Sequence, residues 1–256
     1  MGFAEEAFAA FRRGETEVVE GLSQRELERA RGAGDAAGEV DALCMLARVA
    51  VRRGDLTGCQ ELATKAFEVA AGQADRALRR GPVHVLAAVA RMRGDLEAAR
   101  SLFLESVALR EEAGLADLVV WERLNLGYVE LESGDVGRAR ELFEGVRRYA
   151  REHGVGDLVP YGELASAVLA EKDGDAARAV RLLAEAERAL RERGQVLDPD
   201  DAEVREALRA RLVTTLGEEG FKVEHSRKAN RPLWPVTSSS PGGAGVLRKE
   251  SPARRS

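Results

Sequence analysis

The side chains best suited to hold a metal or move a proton are His84, His153 and His225, and they are scattered. A metal site on a helix needs two ligands at i and i+4 beside a carboxylate. No such pair exists here. Asp198, Asp200 and Asp201 form the one acidic cluster with the density of a cation site. Beside Pro199 they read more simply as acids at a helix start, where the backbone dipole favours them. No serine has a matched histidine and aspartate that would announce a nucleophile. Cys44 and Cys59 are too few for a disulfide framework in 256 residues. They read as small buried hydrophobes in a reducing compartment. The expectation is therefore no enzyme, no cofactor and no metal.

What remains is the chemistry of binding. Trp121, Tyr128 and Tyr161 are large rings set among aliphatic residues, and aromatics are only 5% of the chain. What these rings do depends on the elements that carry them.

Those elements are marked by a corner, Gly94-Asp95, followed by the amphipathic run Leu96 to Phe103. The corner recurs at Gly14-Glu15, Gly54-Asp55, Gly134-Asp135 and Gly174-Asp175, an interval of 40 residues each time. Gly accepts positive φ at a helix end, and Asp accepts from free N–H groups at the next helix start. Around the corners the periodicity predicts helices over 3–13, 15–31, 39–53, 56–71, 83–93, 96–112, 118–133, 136–152, 160–173, 176–193 and 202–216. The array opens inside a hairpin, as a terminal half-repeat or a shortened front would. Five residues past each corner glycine stand Val19, Cys59, Ala99, Ala139 and Ala179. Eight past it stand Leu22, Leu62, Leu102, Leu142 and Leu182. Seven before it stand Ala47, Ala87, Gly127 and Ala167. Small residues opposite small residues, beside large aliphatic ones, make a helix-hairpin interlock.

This frame resembles the tetratricopeptide (TPR) repeat: Leu126-Gly127 and Tyr128, then Gly134-Asp135, Ala139 and Phe143. Phe103 stands in the place of Phe143. The resemblance covers about residues 3–193. It departs from the pattern in a period longer than about 34 residues. It also lacks the aromatic near the start of the first helix, where Leu43, Val83, Arg123 and Glu163 stand. The fold class it implies is all-α, a TPR-like solenoid of antiparallel hairpins with a 40-residue period and about eleven helices. The expected domains are 1–217 for the repeats, ending in a capping helix at about 200–216, and 218–256 for a disordered tail.

The longer period resembles the C-terminal arrays of actinobacterial LuxR and SARP-type ATPase transcriptional regulators, where such arrays sense a partner or ligand. Leu208 to Leu212 and Leu216 to Phe221 are similar to the way those arrays finish. The chain shows no phosphate-binding loop and no helix-turn-helix. Gly21 to Leu27 is similar to part of a DNA-reading segment, but Leu22 belongs to the repeat frame. Arrays of this kind bind through a concave face lined by the first helix of each hairpin. Counting from the corners places Arg48, His84, Arg91, Trp121, Leu124, Tyr128, Tyr161 and Leu164 there, as candidate protein-binding residues. The carboxylate clamp of some TPR proteins does not carry over, because Cys44, Arg48, His84 and Ala88 stand where Lys and Asn are required. Asn125 is an isolated match. The implied function is a non-catalytic protein-protein interaction scaffold, related to transcriptional control. The alternative is a small-molecule-sensing domain in which the array closes around a ligand.

Net charge is −5, and residues 226–256 hold seven basic side chains against Glu250 alone. The body is therefore acidic, which argues against nucleic acid as its partner. The tail is rich in Pro, Ser and Gly without periodicity. The opening Met-Gly-Phe-Ala-Glu-Glu lacks a signal peptide's basic and apolar regions, and no stretch is long and apolar enough to span a membrane. The expected partner is a protein or peptide in the cytoplasm.

Overall fold

Residues 2–227 are described by a computed structural model of the chain. Among them are eleven α-helices and no strand: α1 Phe3–Arg12, α2 Thr16–Ala33, α3 Ala36–Arg52, α4 Leu56–Ala71, α5 Arg80–Met92, α6 Leu96–Glu112, α7 Ala116–Glu132, α8 Val136–His153, α9 Val159–Lys172, α10 Ala176–Arg193 and α11 Pro199–Ser226. The first ten form five antiparallel hairpins stacked in sequence order, each helix packed on its chain neighbours. Short 3₁₀ turns at Arg76–Arg79 and Gly156–Leu158 lead into α5 and α9.

The corners work in two directions at once. Gly54, Gly94, Gly134 and Gly174 have φ between 79° and 91°. The next residue, Asp55, Asp95, Asp135 or Asp175, donates its own N–H to a carbonyl five residues back, at 2.9 Å in each case. Its carboxylate then accepts from the N–H three residues ahead: Gly58, Ala98, Arg138 or Arg178. One aspartate thus closes one helix and opens the next, satisfying groups that would otherwise be stranded. Gly14 makes the same turn, but Glu15 caps nothing with its side chain.

A second set of left-handed glycines lies midway between these corners, at Gly34, Gly114, Gly154 and Gly194. The chain therefore turns about every 20 residues, alternating turns within hairpins and turns between them. This half-period is written in the glycines but masked once. Ala74 stands where the next one would fall, and the α4–α5 join runs instead through the 3₁₀ turn and Pro82.

The row at five past the corner is fully buried at every position, and so are Ala47, Ala87 and Ala167. The leucine row behaves differently. Leu22, Leu62, Leu102 and Leu142 are only half-buried along an outer seam, and Leu182 alone is inside. Small side chains mark the closest approach of the helices, and leucines border it. Gly127 is the tightest case, since a Cβ there would overlap the Phe143 ring. That ring is fully buried and meets Tyr128 edge-on at 5.0 Å.

Two expectations change. The last helix does not stop near 216, and 218–226 is not part of a disordered tail. Gly217 leaves helical geometry (φ 71°, ψ 162°), but the helix resumes and runs to Ser226. Phe221 is buried in the same core as Leu208 and Leu212. Glu224 pairs with Arg181, and His225 with Glu187 at 2.9 Å. Gly217 and Gly220 read as an ending, while a single buried ring holds the segment on α10. The rest of the expected tail, 228–256, lies outside the described residues.

The second change concerns the ends of the array. The connector between α10 and α11 folds back to the first hairpin. The Val196 N–H donates to the Arg12 carbonyl at 2.8 Å. Arg12 in turn donates to Asp157 at 2.8 Å and Gln195 at 2.9 Å. The last turn of the solenoid is thereby tied to the first, and the inner space is closed on one side.

Replacing Gly127 by Ala should lower stability by about 1–3 kcal/mol through overpacking. Urea denaturation is the measurement, and Phe143→Leu in the same chain should restore part of the loss.

Candidate functional site

The closure leaves a chamber of about 340 Å³ inside the array. Its walls come from the first helix of each hairpin, from Arg110 on α6 and from the start of α11. Helix α1 supplies Phe8, Phe11 and Arg12, and α3 supplies Arg48 and Val51. Helix α5 supplies His84, Val85 and Met92. Helix α7 supplies Leu118, Trp121, Glu122 and Asn125, and α9 supplies Tyr161. Asp198, Pro199, Asp200 and Asp201 form the remaining wall. The volume falls at the lower end of the range for small-molecule pockets, roughly 300–1,000 Å³.

Of the eight candidate residues, Arg48, His84, Trp121 and Tyr161 line this chamber. Trp121 meets Tyr161 edge-on at 4.7 Å, a favourable arrangement of ring quadrupoles. The other four do not line it. Leu124, Leu164 and Tyr128 are buried in the core, with Tyr128 only 1% exposed. The expected concave position fails for them because the helix faces are rotated. In α9 every residue from Pro160 to Ala170 is buried, because neighbouring helices and α11 cover it on all sides. Arg91 is buried as well. It lies over the Tyr128 ring at 5.0 Å and is paired with Asp200 at 3.3 Å and Glu132 at 3.4 Å.

One wall carries a closed polar network. The Glu122 carboxylate on α7 is almost fully buried. It accepts from His84 Nδ1 at 3.0 Å, Ser106 Oγ at 3.0 Å and Arg110 Nε at 2.6 Å. Burial pushes this carboxyl up, but the positive charge and hydrogen bond of His84, then Arg110 and Ser106, hold it down at about 2. Arg110 is lowered too, because burial outweighs the pull of Glu122. Residue types alone pointed to none of this, since Ser106, Arg110 and Glu122 lie on two helices with no shared motif.

The α11 wall is acidic and poorly provided with donors. Asp198 caps no N–H with its side chain, and burial raises its carboxyl above the usual range. Asp201 is 4% exposed, its Oδ1 has no hydrogen-bond partner, and burial followed by the charge of Asp200 raises it well above the ordinary value. The cluster is thus more than a set of solvated helix-start acids. The cysteines are chemically quiet, as burial pushes both thiols up to about 12. No cluster of three or more metal-ligating side chains occurs among the described residues. No helix among them is long and apolar enough to cross a membrane.

Outside the chamber, Glu163 on α9 is 3% exposed with an unpartnered Oε2. Burial lifts its carboxyl from the ordinary 4.5 to about 7, while Arg147 pulls the other way.

No protein-family model matches the sequence, and neither does any curated protein. Among solved structures, BtubC (BKLC) from P. vanneervenii is similar over 92% of this chain and 99% of its own, at 18% identity and a TM-score of 0.55. Two structures of nearly identical TPR-like repeats from a Podosopora anserina kinesin light chain protein each align over 83% of this chain and 94% of their own, at 19% identity and a TM-score of 0.45. With its stacked helical hairpins and its likeness to BtubC, the chain has the fold of a TPR-like all-α solenoid.

Two measurements follow from the buried acids. Glu122→Gln leaves Arg110 and His84 facing a neutral amide and should destabilise the chain by roughly 3 kcal/mol in urea at neutral pH. Glu163 has a raised folded-state value, so its stabilising effect is complete below about pH 4.5 and lost as pH rises through about 7. Thermal melts from pH 5 to 8 should show that fall, and Glu163→Gln should flatten it by about 1–3 kcal/mol.

Proposed function

We propose that this chain is a non-catalytic protein-interaction scaffold that engages its partner at the mouth of the chamber. The observation that carries this reading is exposed apolar surface at a concave opening. Phe8 is 42% exposed and Leu118 38% exposed, and both line the chamber on facing helices of the closed array. Large apolar side chains left in water beside charged ones commonly mark an interaction site. A partner's anchor side chain set into a pocket between them would be desolvated on all sides, which is where binding energy concentrates. The solenoid fold supports the same reading, because it exposes a curved wall of many side chains with no reactive centre. A place in transcriptional control is part of this proposal, and its support is the sequence resemblance to regulator arrays.

A second reading, small-molecule sensing, is favoured by the enclosure of the chamber. Helix α1 and the α10–α11 connector close it on the side where an open solenoid would admit an extended peptide. A ligand held there would touch both ends of the array, so its presence would be felt in the closure itself.

Leu118→Glu is the test of the first reading. It puts a charge at the mouth without touching the core. Capture of partner from lysate, quantified by mass spectrometry, should fall at least fivefold relative to the native chain. Unchanged capture counts against a partner site at the mouth.

A further inference from the structure

Most charges lining the chamber are already engaged. Arg12 donates to Asp157 and Gln195. Glu122 is closed by His84, Ser106 and Arg110. Asp200 is paired with Arg91 through its carboxylate and its carbonyl. Two opposite charges remain. The guanidinium of Arg48 and the carboxylate of Asp198 face each other at 3.7 Å, beyond hydrogen-bond reach. Neither side chain makes a hydrogen bond among the described residues, although only 20% and 28% of their side-chain surfaces are exposed. Arg48 is held in place from below by Phe8 and Phe11, whose ring centres lie 5.8 Å from its guanidinium. A half-buried charge without hydrogen bonds is costly, and a ligand that supplies them recovers that cost as affinity.

We propose that the chamber binds a free α-amino acid with a large apolar side chain, its carboxylate on Arg48 and its ammonium on Asp198. This rests on the small-ligand reading of the chamber. A zwitterion carries its two charges one carbon apart, so it can meet adjoining opposite charges on one wall at the same time. A ligand with a single charge satisfies one of them and leaves the other bare. Guanidinium suits a carboxylate because it can donate two parallel N–H bonds. Ammonium has three donors, and the wall offers both the Asp198 carboxylate, which has no hydrogen bond from Arg48, and the unpartnered Oδ1 of Asp201. The lining also holds Val51, Val85, Met92 and Trp121, which suit a hydrophobic side chain. Asn125, also without a side-chain hydrogen bond among the described residues, faces the chamber as a further polar contact. Binding would draw α3 and the start of α11 together, strengthening the tie between the two ends of the array.

Isothermal titration of the full chain tests this with three probes of one shape. L-phenylalanine carries both charges, N-acetyl-L-phenylalanine lacks the ammonium and 2-phenylethylamine lacks the carboxylate. L-phenylalanine should bind at least tenfold more tightly than either analogue. Asp198→Asn should weaken L-phenylalanine at least tenfold and leave the acetylated probe unchanged, with far-UV circular dichroism and a cooperative melt confirming its fold. If an analogue binds as tightly as L-phenylalanine, the zwitterion assignment is overturned while ligand sensing stands. If none of the three produces heat or raises the melting point, both fall; capture at the mouth is read separately.

Discussion

Adjacent helices in this molecule approach so closely that nothing larger than Val, Cys or Ala fits at the contact, and at Gly127 not even a methyl group does. That distance sets the rest. It allows the Phe103 and Phe143 rings to fill the interior from one side only, and it gives every hairpin the same depth. With the depth constant, turns must recur at constant spacing, and glycine with φ near 80° is the residue that turns without strain. The aspartates after them add directionality, since the same side chain ends one set of unpaired backbone groups and begins another.

A stack built this way has no intrinsic reason to stop or to close. Both events depend on polar contacts rather than on the repeated core. The α10–α11 connector is fastened to the first hairpin by one backbone hydrogen bond and by the two donations of Arg12. Helix α11 then covers the open flank of α9, which explains the burial of nearly the whole of that helix. The same arrangement brings Asp198, Asp200 and Asp201 against arginines from α3 and α5. Segments more than a hundred residues apart in the chain thus form one charged wall.

Chemistry inside the chamber follows from the low dielectric that this closure creates. Glu122 retains its charge because three donors surround it, whereas Asp201 is driven toward its neutral form because donors are missing. The two carboxylates therefore differ in character through their neighbours: positive charges and hydrogen bonds at Glu122, and the charge of Asp200 without a donor at Asp201. The difference gives the chamber one acid closed by three donors and one acid short of them. Both thiols are buried, and burial raises them. Selectivity would come from charge placement and from the shape of the apolar lining.

Much of the architecture was legible in residue order, because repeated packing imposes repeated composition. The 40-residue interval, the small-residue rows and the Gly-Asp corners specify hairpins by themselves. The half-period glycines at 34, 114, 154 and 194 carry the same signal, interrupted only at Ala74. What residue order could not supply was rotation and closure. A helix with apolar residues on every side gives no angular signal, so Tyr128, Leu124 and Leu164 were placed on a wall when they belong to the core. Contacts made once, such as Val196 to Arg12, Arg48 to Asp198 and Glu122 to Arg110, leave no periodic trace in the chain. Periodic burial is local and additive, and so it is recorded in the sequence. The chamber arises only when the first and last elements meet in space, and that was decided by the tertiary structure.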